Sequence, residues 1–162
     1  MNNRFTKNIL LILIGVILLT SLFGCSSIPK IDWELKITGA VQTPMIYTFT
    51  ELAEMPQVEL KDVYMSKSHG EDEIRSLTGV PLTSLFEQAG ANPNMVSITA
   101  FAADGYIVEI SSDEMQEGIV ALKDGGEWIQ NKEPESGPIR LVFPNTPADH
   151  WVFQVIEIQV NE

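Results

Sequence analysis

The sequence contains a single cysteine, Cys25, among its 162 residues. No disulfide bond can therefore form within the chain. If the sulfur of Cys25 is covalently modified, no thiolate is left to bind a metal either. Histidine is also scarce, since only His69 and His150 are present and they lie far apart in the sequence. The usual clustered Cys and His ligands of a metal site are thus missing from the sequence pattern.

Basic residues are also few, with 10 Lys and Arg against 22 Asp and Glu, which gives a formal net charge of -12. Nucleic acid binding requires a basic face to meet the phosphates, so the charge balance argues against a nucleic acid partner. An acidic surface of this kind mainly favours solubility. The chain also lacks the Gly-x-Ser-x-Gly, Walker-type and Gly-x-Gly-x-x-Gly motifs, so no nucleophile with a paired base can be named.

The one long hydrophobic run lies at the N-terminus, from Ile9 to Leu19, behind the basic residues Arg4 and Lys7. It is shorter than the roughly 20 residues that a membrane-spanning helix needs, so it predicts a secretory signal. The segment "LFGC" that follows resembles the lipobox of bacterial lipoproteins. That resemblance implies that Cys25 is diacylated and becomes the mature N-terminus, with two chains giving stable anchoring. The alternative is a free cysteine beside an uncleaved anchor helix.

This pattern predicts three parts: a lipoprotein signal peptide at 1–24, the lipidated cysteine with a tether at 25–32, and one domain at 33–162. The expected location is extracytoplasmic, with Cys25 anchoring the chain to a lipid membrane. Hydrophobic residues make up 44% of the chain, so the domain is not disordered and can build a core.

Within the domain, most apolar residues alternate with polar ones, which is typical of half-buried strands. Strands are predicted at "WELKITG", "MIY", "VELKDVYM", "MVSITAFAA", "YIVEI", "IVALK", "EWIQ", "PIRLVF" and "WVFQVIEIQV". Helices are predicted at "TFTELAEMP", where Thr48 and Glu51 have the spacing of a capping box, and at "GVPLTSLFEQAG", which Gly90 ends. The fold class expected is α+β, a β-rich mixed sheet or barrel-like domain with short helices.

A polar tract from Ser66 to Glu73 separates the third predicted strand from the second helix and is expected to be a long loop. Long loops of this kind are either functional or disordered. His69 and the acids Glu71, Asp72 and Glu73 could bind a divalent ion, but their spacing matches no established motif. A solvated acidic loop is the favoured interpretation.

The order and spacing of "ITGAVQTP", "YTFTELAEMP", "TGVPLTSLFEQAG", "VSITAFAADGYIVEI", "IVALKDGGEWI", "GPIRLVFPN" and "VFQVIEIQV" resemble the sulfite-oxidase-type molybdopterin-binding domain. The resemblance extends from about Trp33 to Val160. It implies a sulfite-oxidase-like fold with a pterin-cofactor cleft lined by loops. It also implies redox chemistry at molybdenum in members that keep the metal ligand.

The sequence departs from the family in two segments that bind the cofactor in active members. Active members provide a cysteine thiolate from the segment that corresponds to Val58–Thr78, which contains no cysteine here. Ser66 or Ser68 would be a poor substitute, because an alcohol stays protonated near neutral pH. Active members also carry a basic cluster for the pterin phosphate near their last strands, where "PNTPADHWVFQV" has no Lys or Arg.

Four residues match positions that the resemblance makes candidates for cofactor binding. Arg140 stands where the family keeps an arginine, whose fork could hold an anion or pair with a carboxylate at the rim. Tyr106 could place a hydroxyl at the cleft edge beside Asp104, or both could simply form a turn with Gly105. His150, next to Trp151, could line the same end of the cleft or be structural.

Three functions remain open from the sequence. The preferred one is a membrane-anchored extracytoplasmic lipoprotein whose molybdopterin-binding-like domain is catalytically inactive and binds an unknown ligand or protein partner. The second is a molybdopterin-dependent oxidoreductase or electron-transfer enzyme that holds its cofactor without a protein thiolate. The third is a structural envelope lipoprotein. Molybdopterin is thus the cofactor that the resemblance implies, and the substrate is not predicted.

Overall fold

The computed structural model describes residues 27–162, which lie mostly in strands. These residues form eleven strands: β1 (Glu34–Gly39), β2 (Met45–Thr48), β3 (Val58–Met65), β4 (Glu73–Pro81), β5 (Ser97–Ala102), β6 (Ile107–Ser111), β7 (Ile119–Asp124), β8 (Glu127–Trp128), β9 (Arg140–Val142), β10 (Val152–Phe153) and β11 (Val155–Asn161). Three α-helices and one 3-10 helix connect them: α1 (Phe49–Glu54), α2 (Leu82–Ala89), α3 (Ile129–Lys132) and the 3-10 helix Ala148–His150. The predicted signal peptide and Cys25 lie outside the described residues.

The strands form two sheets. The first has the order β2-β1-β11-β5-β6, and the second has the order β10-β9-β7-β4-β3 with β8 paired to β7. The neighbours β1 and β11 are parallel, with Lys36 opposite Glu157, while the other strand pairs are antiparallel. The predicted fold class, a β-rich α+β domain with mixed sheets and short helices, is therefore confirmed.

The main hydrophobic core draws on both sheets and on the two longer helices. Successive side chains of a strand point to opposite faces of its sheet. In β7, Val120 and Leu122 therefore join this core, while Ile119 and Ala121 point to the other face of the second sheet. That other face carries a second, smaller apolar cluster, which includes Ile129 of α3 and Trp151. The inner strands β7 and β9 are thus buried on both faces, which is why "IVAL" and "IRLVF" read as mostly apolar runs.

Both predicted helices form, and their ends follow the sequence signals. Thr48 caps α1 with its hydroxyl on the Glu51 amide at 3.3 Å, and the Glu51 carboxylate accepts from the Thr48 amide at 2.7 Å. Helix α2 ends at Gly90, which takes a left-handed φ of 65°. Its apolar face is buried, as the periodicity predicts.

The long loop predicted at Ser66–Glu73 is shorter than expected, because Glu73 already belongs to strand β4. Strands β3 and β4 form a hairpin in which Tyr64 lies opposite Ile74 and Met65 opposite Glu73. The "EWIQ" prediction was also partly wrong, since only Glu127–Trp128 is a strand and helix α3 begins at Ile129. Among residues 27–162, no helix has the length and hydrophobicity to cross a membrane.

Candidate functional site

A cavity of about 240 Å³ lies where the β5–β6 turn meets the 3-10 helix and the start of β10. Its lining residues are Asp104, Tyr106, Ala148, Asp149, Trp151 and Phe153. A larger depression of about 440 Å³ lies elsewhere, lined by Ala40, Val41, Gln42, Gly90, Ala91, Asn92, Pro93 and Glu162. That depression offers one carboxylate and no aromatic ring. The smaller cavity therefore has the richer chemistry and is the candidate site.

The β5–β6 turn places Asp104 and Tyr106 at the cavity. The Asp104 carboxylate accepts a hydrogen bond from the Tyr106 amide at 2.9 Å, and Gly105 has a φ of 91° that favours glycine. The Tyr106 hydroxyl then donates to the backbone carbonyl of Asp149. The two residues thus form the turn, and Tyr106 also connects it to the opposite wall of the cavity.

The opposite wall is the segment around the 3-10 helix, and the chain fixes it at both ends. The Ala148 amide donates to the Ser66 carbonyl at 2.9 Å. The Trp151 indole donates to the Phe143 carbonyl at 3.0 Å, and Trp151 is only 2% exposed. The contact with Ser66 brings the polar tract, where the family resemblance implies a metal ligand, next to the cavity wall.

Arg140 lies behind the cavity, and its guanidinium pairs with carboxylates. It is 1% exposed, and its guanidinium lies 2.5 Å from Glu133 and 3.8 Å from Asp124. One of its faces stacks on the ring of Phe153 at 4.7 Å. Burial lowers the pKa of Arg140, and the ion pair with Glu133 opposes that effect. The arginine is therefore a buried partner of carboxylates rather than a rim residue.

Arg140 belongs to a larger charge network that the sequence did not reveal. Arg75 lies 2.8 Å from the Glu133 carboxylate and also pairs with Asp124, and Lys132 lies 3.0 Å from Asp124. Burial lowers the pKa of Arg75, but hydrogen bonds to its carboxylate partners raise it overall. The network thus connects three neighbouring strands of the second sheet, β4, β7 and β9, to α3.

His150 flanks the cavity without lining it. Its Nδ1 lies 3.0 Å from a carboxylate oxygen of Glu114, in the turn after β6. Hydrogen bonds from Ser111, with a smaller contribution from His150, lower the pKa of Glu114. The imidazole therefore faces the Glu114 turn.

Three charged residues of the polar tract, Lys67, Asp72 and Glu73, contact one another or side chains of β3 and β4, and Glu73 also lies 2.6 Å from Arg75. The Lys67 amide donates to Asp72 at 2.8 Å, the Tyr64 hydroxyl donates to the same carboxylate, and the Lys67 ammonium pairs with Glu73. The hydrogen bond from Tyr64, followed by the one from Lys67, lowers the pKa of Asp72. Within residues 27–162, no group of three or more His, Cys, Asp and Glu side chains is placed to hold a metal ion.

The residues present do not fit a molybdopterin cofactor. The part of the chain that the structure describes has no cysteine, so it offers molybdenum no thiolate. The cavity has the carboxylates Asp104 and Asp149 and no Lys or Arg in its lining. An anionic pterin phosphate would meet repulsion there, and Arg140 is already paired.

Comparisons with known proteins agree with the fold. The chain resembles the sulfane dehydrogenase SoxCD from Paracoccus pantotrophus, with a TM-score of 0.71 and 21% sequence identity. The match covers 84% of this chain but only 40% of the SoxCD chain. A search of the curated proteins gives no significant match.

The fold is therefore that of a molybdopterin-type oxidoreductase domain. The family model described as the oxidoreductase molybdopterin binding domain matches residues 25–162, and the chain belongs to that family. Membership fixes the ancestry of the fold, whereas the function depends on the side chains at the site.

Of the four candidate residues, the structure brings Asp104 and Tyr106 to the cavity and places Arg140 and His150 at its flanks. Sequence reasoning missed Asp149 and Phe153 as lining residues. The available signal was weak, because only the alternation in "ADHWVF" suggests that these side chains share a face with Trp151. Their role in binding stays a prediction.

Proposed function

We propose that this protein is a lipid-anchored, extracytoplasmic ligand-binding module that has kept the molybdopterin-binding fold without molybdenum redox chemistry. The observation that carries the proposal is the cavity itself, which has two carboxylates in its lining and no cation. The absence of any cysteine from residues 27–162 supports it further, because the metal would have no protein thiolate. The anchor rests on the basic N-terminal residues, the apolar run and the "LFGC" sequence before the mature domain.

The decisive experiment measures the metal and cofactor content of the full chain, extracted from its native membrane in mild detergent. Mass spectrometry quantifies molybdenum and tungsten, and a fluorescence assay quantifies oxidised pterin. We expect both to be far below one equivalent per chain. A stoichiometric amount of metal with pterin would refute the proposal and establish the cofactor-dependent enzyme instead.

The same preparation tests the anchor. The N-terminal peptide is expected to start at Cys25 and to carry the mass of two ester-linked acyl chains and a thioether-linked glycerol. A chain that still starts at Met1 with a free thiol would refute lipidation. The two parts of the proposal can thus fail separately.

A further inference from the structure

The cavity described above combines aromatic rings with negative charge. Three of its lining residues are aromatic, namely Tyr106, Trp151 and Phe153, and two are the acids Asp104 and Asp149. Its volume of about 240 Å³ lies below the roughly 300–1,000 Å³ typical of pockets for drug-sized ligands. The occupant must therefore be a small molecule.

The two carboxylates are not neutralised by the protein. Both Asp104 and Asp149 are exposed, and neither forms an ion pair among residues 27–162. The nearest buried cation is Arg140, which lies behind the ring of Phe153 and pairs with Glu133. The negative charge at the mouth of the cavity is thus left for a ligand or for solvent ions.

The aromatic lining, like the carboxylates, favours a positively charged ligand. The face of an aromatic ring is negative and attracts cations. One face of Phe153 already carries Arg140 and Trp151 is almost fully buried, so Tyr106 is the ring available to a ligand. Tyr106 is 41% exposed and stands at the entrance, while Trp151 is 2% exposed and forms the wall.

We propose that this cavity binds a small organic cation, such as a quaternary or protonated amine with an apolar body. The ring of Tyr106 contacts the cationic head, Trp151 and Phe153 form the apolar wall, and the carboxylates of Asp104 and Asp149 supply the opposite charge. The inference rests on the proposed function, since it names the ligand class of the proposed binding module. It also explains why a cavity in this family fold carries acids in its lining.

The test compares two probes of the same shape by titration calorimetry on the full chain in a nonionic detergent. Choline carries a trimethylammonium group, and its neutral carbon isostere carries a tert-butyl group instead. We expect choline to bind roughly tenfold tighter or more, because only choline gains the cation–π and charge terms. Added salt should weaken choline binding, since the carboxylates are exposed. Equal affinity for the two probes, or no binding of choline, would overturn the proposal.

Variants at the exposed residues locate the site. Tyr106→Leu should weaken choline binding roughly two- to thirty-fold, the range expected for one cation–π contact, while Tyr106→Phe keeps the ring and most of the affinity. Asp149→Asn should weaken it as well. The matched control Asp32→Asn, at an exposed acid outside the cavity lining, should bind as the native chain does. Native affinity in both Tyr106→Leu and Asp149→Asn would overturn the assignment.

The outcome can be separated from that of the proposed function. Stoichiometric molybdenum and pterin would remove the binding module as a whole. A chain that is free of both and still does not distinguish choline from its isostere would remove only the ligand class.

Discussion

At the scale of single residues, Arg140 is the largest fully buried side chain among residues 27–162. It is 1% exposed and depends on Glu133 and Asp124 for its charge balance. Removing Arg140 takes away one partner of Glu133, while Arg75 still pairs with Glu133 and Asp124. We therefore expect Arg140→Leu to lower the free energy of unfolding by about 1.5–3 kcal/mol, the contribution of a hydrogen bond to a charged group, as measured by urea denaturation.

An exposed ion pair provides the control. Lys61 lies 3.4 Å from Glu59, and the two side chains are 71% and 51% exposed. Exposed pairs of this kind contribute about 0–1 kcal/mol, so Lys61→Met should unfold almost as the native chain does. If Arg140→Leu lost no more stability than Lys61→Met, the structural role of the network would be wrong.

The candidate site could be predicted from the sequence only in part, and the reason is visible at this scale. Asp104, Gly105 and Tyr106 are adjacent, so one local turn brings them to the cavity. Asp149 joins them through a contact between the Tyr106 hydroxyl and a backbone carbonyl more than forty residues away. No local pattern encodes such a contact. Arg140 was a sequence candidate for cofactor binding, but its two carboxylate partners come from β7 and from the residue that follows α3, which no local pattern shows.

At the scale of elements, the clearest omission was strand β4. Its start, "EIRS", is polar and lacks strict alternation, because Arg75 joins the charge network while Ile74 is 69% exposed beside Tyr64. The segment "WVFQVIEIQV" was predicted as one strand, but it forms two strands, β10 and β11, which belong to different sheets. Gln154 lies between them with a φ of 51°, so the run cannot continue as one strand. The regular strands and both capped helices were predicted correctly, since their signals are local.

Helix α1 gives a prediction at this scale. Its capping box satisfies backbone groups that have no partner inside the helix. We expect Thr48→Ala to lower the free energy of unfolding by about 1 kcal/mol. Thr50→Ala, at an exposed position within the same helix, is the control and should cause no loss because alanine favours helix. Equal effects of the two changes in urea denaturation would contradict a specific role of the cap.

At the scale of the whole molecule, the fold links its distant parts through the first sheet. Strand β11 lies between β1 and β5, so the end of the domain pairs with its beginning. In the second sheet the charge network joins three strands, β4, β7 and β9, to α3, in a chain whose net charge is -12. Two electrostatic effects therefore compete on acidification. Protonation relieves the general repulsion but also removes the carboxylates that hold the arginines.

The last prediction separates these two effects through Glu133. Burial raises the pKa of this carboxyl, but hydrogen bonds from Arg75 and Arg140 outweigh burial and hold the pKa below its ordinary value of 4.5. A lowered pKa in the folded state means that the contribution to stability is fully present above about pH 4.5 and is lost as the pH falls further.

The difference in unfolding free energy between the native chain and Glu133→Gln should therefore be constant at higher pH and shrink below pH 4.5. Urea denaturation in about 1 M salt, where the Debye length is only ~3 Å, suppresses the general repulsion that both chains share. A difference that stays constant down to acidic pH would show that the charge of Glu133 does not stabilise the fold.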